Sequence, residues 1–94
     1  MPPAARKDDV CSGHGCFPAR PIIAGSGNVK INGKAAARVD DALDLHSCVT
    51  THSGKIAAGS GTVKINGKKA ARIGDGIDCG SVIAAGSGNV FIGG

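Results

Sequence analysis

Hydrophobic and polar residues alternate along this chain in short bursts. Val29-Lys30-Ile31 and Val63-Lys64-Ile65 each place a lysine between two β-branched residues. That is the period-two pattern of a strand with one buried and one wet face. Both bursts run straight into Asn-Gly, at Asn32-Gly33 and Asn66-Gly67. A type I′ turn needs φ > 0 at both central residues, and Asn-Gly supplies it at least cost, so each burst predicts a tight β-hairpin. No segment keeps a helical apolar period over a useful length. The pattern predicts an all-β chain.

The bursts belong to a longer repeat. Gly25 to Gly33 reads GSGNVKING, Gly59 to Gly67 reads GSGTVKING, and Gly86 to Gly94 reads GSGNVFIGG; the tripeptide AAR ends at Arg6, Arg38 and Arg72. Self-similarity of this kind implies like units around a common centre, here with pseudo-threefold repetition. Gly93-Gly94 is the candidate turn of the third unit. The first two copies continue into Lys-(Ala/Lys)-Ala-Ala-Arg, whereas the matching piece of the third, Pro2-Pro3-Ala4-Ala5-Arg6, stands at the other end of the chain. The N-terminal segment is therefore expected to complete the third unit, with Pro2–Arg6 beside Val90–Gly94. The whole span 1–94 then reads as a single domain.

Sixteen glycines and only two aromatics, Phe17 and Phe91, leave a thin core for 94 residues. Domains this small commonly need a disulfide, metal or partner. The charged clusters Arg6-Lys7 and Asp8-Asp9, with no apolar run after them, do not read as a secretory signal. Nothing approaches the roughly 20 apolar residues of a membrane span. Synthesis in the cytoplasm is the expectation, and there cysteine more often binds metal or is buried than forms a lasting disulfide. The net charge of +4 comes mostly from Lys30, Lys34, Lys64, Lys68 and Lys69. These read as a solvated face rather than a nucleic-acid surface, because no aromatic platform accompanies them.

Each repeated arginine serves as a ruler for the residues after it. Three residues on stand Asp9, Asp41 and Asp75, spaced to pair with the arginine and close a turn. A catalytic carboxylate triad is the alternative, and recurrence in every unit favours the structural role. Five residues on stand Cys11, Leu43 and Ile77; ten on, Cys16, Cys48 and Val82; eleven on, Phe17, Val49 and Ile83. Cys11, Cys16 and Cys48 thus take positions otherwise aliphatic and read first as core residues. Eight residues on stand His14, His46 and Gly80, with Cys79 just before the glycine. Equivalent positions converge on a common axis, and His52, six residues after His46, supplies a fourth ligand. Three imidazoles and one thiolate suit one structural Zn²⁺ per chain in a closed tetrahedral site. An all-cysteine site from Cys11, Cys16, Cys48 and Cys79 is the rival that spacing leaves open, as is a Cys16–Cys48 disulfide in an oxidising setting. With no open metal position and no nucleophile–base pair in view, no enzymatic activity is expected.

Ala4-Ala5-Arg6, Ala36-Ala37-Arg38 and Ala70-Ala71-Arg72-Ile73-Gly74-Asp75, with the two hairpin bursts, Gly13-His14-Gly15 and Asp78-Cys79-Gly80, resemble the PAAR-repeat proteins over essentially the whole chain. The second copy departs from the pattern in carrying Asp40 where the later one has Gly74. The resemblance implies a small β cone of three hairpin repeats with zinc near its apex, on His14, His46, His52 and Cys79. It implies a structural tip that caps a homotrimeric β-helical spike (VgrG-type or a phage hub protein) of a contractile injection machine, one monomer per trimer. Effector proteins would ride on such a tip; no effector extension is expected in this chain. Assembly would be cytoplasmic, delivery would follow firing, and a target membrane would be met only transiently. A stand-alone zinc-binding adaptor or regulator, contacting nucleic acid through its lysine rows, is the alternative.

Overall fold

The computed structural model describes residues 2–13, 19–44, 46–47, 51–52, 54–78 and 80–93. Among the described residues every regular element is a strand: β1 (Lys30–Ile31), β2 (Lys34–Ala35), β3 (His46–Ser47), β4 (Thr51–His52), β5 (Lys64–Ile65) and β6 (Lys68–Lys69). They pair antiparallel as β1–β2, β3–β4 and β5–β6. Ile31 faces Lys34 and Ile65 faces Lys68 across two-residue loops. Asn32 and Asn66 have φ of 54°, and Gly33 and Gly67 of 79°, the doubly left-handed turn that Asn-Gly predicts. Of the alternating residues, only the isoleucines are buried. Val29 and Val63 stay 36% and 38% exposed, because each lies at the outer start of its hairpin, one residue before the strand.

The chain ends pair in the same manner. Ala4 N–H donates to Val90 O (2.9 Å) and Ile92 N–H to Pro2 O (3.0 Å), while Pro3 bridges Phe91. Two separate segments meet here, so no turn is needed, and Gly93 is not among the positive-φ residues. The candidate Gly93-Gly94 turn is corrected accordingly; Gly94 itself lies outside the described residues.

A closed cycle of backbone bonds holds the molecule together. Ala5 N–H donates to Ala71 O, Ala71 N–H to Ala37 O and Ala37 N–H to Ala5 O, at 3.0–3.1 Å. Three main chains approach this closely only if the side chains between them are small, which accounts for alanine at each site. Successive residues of a strand face opposite sides, and the two alanines of each AAR accordingly join different clusters. Ala4, Ala36 and Ala70 pack with Ile31, Ile65 and Ile92 under the hairpins. Ala5, Ala37 and Ala71 pack with Cys11, Leu43 and Ile77, and with Ile22, Ile56 and Ile83. The overall extents are 37 × 23 × 23 Å, one long axis and two equal short ones.

The arginine ruler holds for six residues and then fails. Cys11, Leu43 and Ile77 are buried together as expected. Ile83, however, has Ile22 and Ile56 as its counterparts, not Phe17 and Val49. Ile22, Ile56 and Ile83 donate in turn to Asp9, Asp41 and Asp75 carbonyls (2.8–3.0 Å). The intervening loops differ in length, so a fixed count from the arginine drifts out of register. Val82 likewise is 41% exposed rather than buried; Cys16, Phe17, Cys48 and Val49 lie outside the described residues.

Candidate metal centre

The loops that carry the candidate ligands start from a common frame. Each is closed at its base by one backbone bond: Cys11 N–H to Arg20 O, Leu43 N–H to Gly54 O and Ile77 N–H to Ser81 O, at 2.9–3.0 Å. Each base is also tied sideways to the next, by Ser12 N–H to Val82 O (2.8 Å), Asp44 N–H to Pro21 O (2.9 Å) and Asp78 N–H to Lys55 O (3.1 Å). The bases of spans 12–20, 44–54 and 78–81 therefore stand side by side. His14, His46, His52 and Cys79 all fall inside these spans. Ser12, Asp44 and Asp78 stand six residues after their arginines, a recurrence of polar residues that marks the loop bases.

The middle span forms a hairpin of its own, where the sequence suggested only a lengthened loop. β3 and β4 pair with His46 opposite His52 and Ser47 opposite Thr51. Directly opposed positions are the closest approach two antiparallel strands offer, so the register sets these two backbone positions against one another. His14 and Cys79 lie outside the described residues, and among the described residues no group of three or more metal-ligating side chains occurs. Cys11 is only 2% exposed, sits in the apolar cluster and accepts a hydrogen bond at Sγ from Arg20 N–H (3.3 Å). That is a core residue's environment, as expected, and it leaves the all-cysteine rival without one of its four members.

The frame beneath the loops is braced by three ion pairs of one design. Arg38 Nε donates to Asp41 Oδ2 (3.1 Å) and Nη2 to Oδ1 (3.0 Å), while Arg38 N–H donates to Oδ2 (2.7 Å). Arg6 with Asp9 and Arg72 with Asp75 repeat the pattern. Hydrogen bonding to the aspartate, aided by its charge and opposed by desolvation, raises each guanidinium above its usual value. Both oxygens of each carboxylate are thus engaged by its own arginine, which suits bracing and not acid–base chemistry. The turn inside each pair needs a left-handed residue: Asp8 has φ of 79°, Asp40 of 78° and Gly74 of 90°. Asp40 therefore keeps the turn that Gly74 makes, as aspartate tolerates this region better than most residues.

A family model, the PAAR motif, matches residues 13–85 of this chain. The chain belongs to the PAAR family. The motif spans the arginine braces of the second and third copies, all three loops and both Asn-Gly hairpins, and the family is one associated with spike tips. No curated protein matches the chain.

Proposed function

We propose that this PAAR protein is the structural tip of a contractile injection machine, a pseudo-threefold β cone that caps and sharpens a homotrimeric β-helical spike. The observation that carries the reading is the closed cycle Ala5–Ala71–Ala37. A chain whose main-chain bonds run once around an axis can offer one like edge to each of three identical subunits. The hairpins and the paired chain ends pack on one cluster beside this cycle, and the residues at the bases of the three loops pack on the other. The hairpin end is the base that meets the strand ends of the spike, covering backbone groups that would otherwise be unpaired. The loop end is the apex, where His14, His46, His52 and Cys79 hold one Zn²⁺. Opposition of His46 and His52 in β3–β4 supports that set. The metal is structural and links loops that have few apolar residues to hold them. The tip assembles in the cytoplasm, leaves on firing, and carries effector proteins bound to it.

Native mass spectrometry of the protein mixed with its cognate spike tests both parts. The expected species is one monomer per spike trimer with one zinc. Three monomers per trimer, or a complex lost at moderate salt, would overturn the docking geometry. Iron, or full folding without metal, would overturn the zinc site. Salt-dependent capture of DNA in place of the spike would favour the adaptor reading, for which the exposed lysine rows are the only support.

A further inference from the structure

Ser26, Ser60 and Ser87 are buried, at 0–2% exposure. Each hydroxyl oxygen accepts the N–H groups two and three residues on: Asn28 and Val29 (3.2 and 2.9 Å), Thr62 and Val63 (3.1 and 2.9 Å), Asn89 and Val90 (3.1 and 2.9 Å). Its one proton has a distant acceptor within its own unit, Asn28 Oδ1 or Asn89 Oδ1 at 3.1 Å and, for Ser60, Thr62 Oγ1 at 3.4 Å, and a closer one in a neighbouring unit. Ser26 Oγ donates to Asn66 Oδ1 and Ser87 Oγ to Asn32 Oδ1, both turn residues. Ser60 Oγ donates to the Gly93 carbonyl (2.6 Å). The same three oxygens also receive Nη1 of Arg38 (3.1 Å), Arg6 (3.1 Å) and Arg72 (3.3 Å).

The difference between units lies in what faces the serine's neighbour. Asn66 Nδ2 donates to Asn28 Oδ1 (2.9 Å), and Asn32 Nδ2 donates to Asn89 Oδ1 (2.8 Å). Gly93 offers only a main-chain carbonyl and no amide, and the residue in the facing place is Thr62. Where the neighbour carries a side-chain amide the repeat has asparagine to receive it; where the neighbour is Gly93 the repeat has threonine, which bonds only within its own unit, to Ser60. We propose that residues 28, 62 and 89 are matched to residues 66, 93 and 32, and that this matching specifies which unit closes against which around the ring. The hairpin faces that meet around the ring are otherwise nearly alike, and a polar group that is satisfied in only one arrangement is a known way to fix register. The inference rests on these hydrogen bonds and does not depend on the spike reading.

A double-mutant cycle on Asn28→Thr and Asn66→Gly, read by urea unfolding, tests it. Asn28→Thr in the native background is expected to reduce the folding equilibrium constant about fivefold, the worth of one ordinary hydrogen bond. In the Asn66→Gly background, where no amide is left to serve, the same change should have little effect. Thr62→Asn should bring no gain, since Gly93 has no side-chain amide to donate to it. Equal losses from Asn28→Thr in both backgrounds, no loss in the native one, or a gain from Thr62→Asn would overturn the matching. Asn89→Thr with Asn32→Gly provides the same cycle at the other contact, should Asn66→Gly fail to fold.

Discussion

At the residue scale, the glycine-rich stretches divide into positions that touch something and positions that do not. A Cβ on Gly59 would come within 2.7 Å of Ala70 O and 3.0 Å of Lys69 Cβ. Gly25 and Gly86 stand in the same way against Ala36 O and Ala4 O, at 2.9 and 2.8 Å. Each of these glycines lets its segment lie flat on the neighbouring alanine strand. A Cβ on Gly27 or Gly88 would meet nothing within 4 Å. We expect Gly59→Ala to cost about 1–3 kcal/mol, the usual penalty of forcing atoms into a packed backbone. Gly88→Ala should lie within about 0.5 kcal/mol of the parent, as surface changes do. Paired thermal melts decide the point, and equal effects would contradict it. Sequence repetition showed that all these glycines recur but not which ones are in contact. The residues matched between units were also visible only in part: the single Thr62 among GSG-Asn copies and the single Gly93 among turn asparagines are two departures that make sense only once they face each other.

At the scale of elements, the turns were legible and the loops were not. Asn-Gly fixed both hairpins, and the spacing of Arg6 to Asp9, Arg38 to Asp41 and Arg72 to Asp75 gave the braces, because short turns obey local rules. The fixed count failed beyond the loop bases, since spans 12–20, 44–54 and 78–81 differ in length. It also gave no sign of β3–β4. Three of the four candidate ligands, His14, His46 and Cys79, were read from that same count. What the structure adds is the opposition of His46 and His52, while His14 and Cys79 lie outside the described residues. The brace itself makes a strong prediction. The Asp41 side chain is 4% exposed and that of Arg38 15%, so Arg38→Ala strands a buried carboxylate. The expected loss is about 3 kcal/mol, as for other buried pairs broken on one side. Arg38→Lys should restore little, because a single ammonium cannot reproduce the forked contact. The arginine's share of this stability has a definite pH window. A cation whose pKa rises on folding stabilises fully below its ordinary, strongly alkaline unfolded value and ceases to do so only above its raised folded one. The Arg38→Ala deficit should therefore not shrink as pH is raised from neutral to mildly alkaline values. A deficit that vanished by about pH 9 would show that another group carries the effect.

At the scale of the molecule, closure of the chain on itself decides how stability is distributed. The N-terminal segment supplies Ala4 and Ala5, both fully buried, one corner of the Ala5–Ala71–Ala37 cycle, both bonds to Val90 and Ile92, and the Arg6 brace. Loss of this segment would leave Ala71 and Ala37 with an open cycle and expose the Ile31–Ile65–Ile92 cluster on one side. A loose terminus can be trimmed at little cost; a segment that contributes to the core and to the central hydrogen bonds cannot. Deleting residues 1–6 should therefore abolish the cooperative melt of the whole domain rather than fray one edge. Amide exchange resolves the two outcomes. Loss of protection at Ala37 and Ala71 along with Val90 and Ile92 is expected, because the cycle links all of them. If Ala37 and Ala71 stayed protected in a deletion variant with a sharp melt, the first two units would be stable without the third. The ring would then be three independent hairpins in contact, and the closed cycle would not be what holds the molecule together.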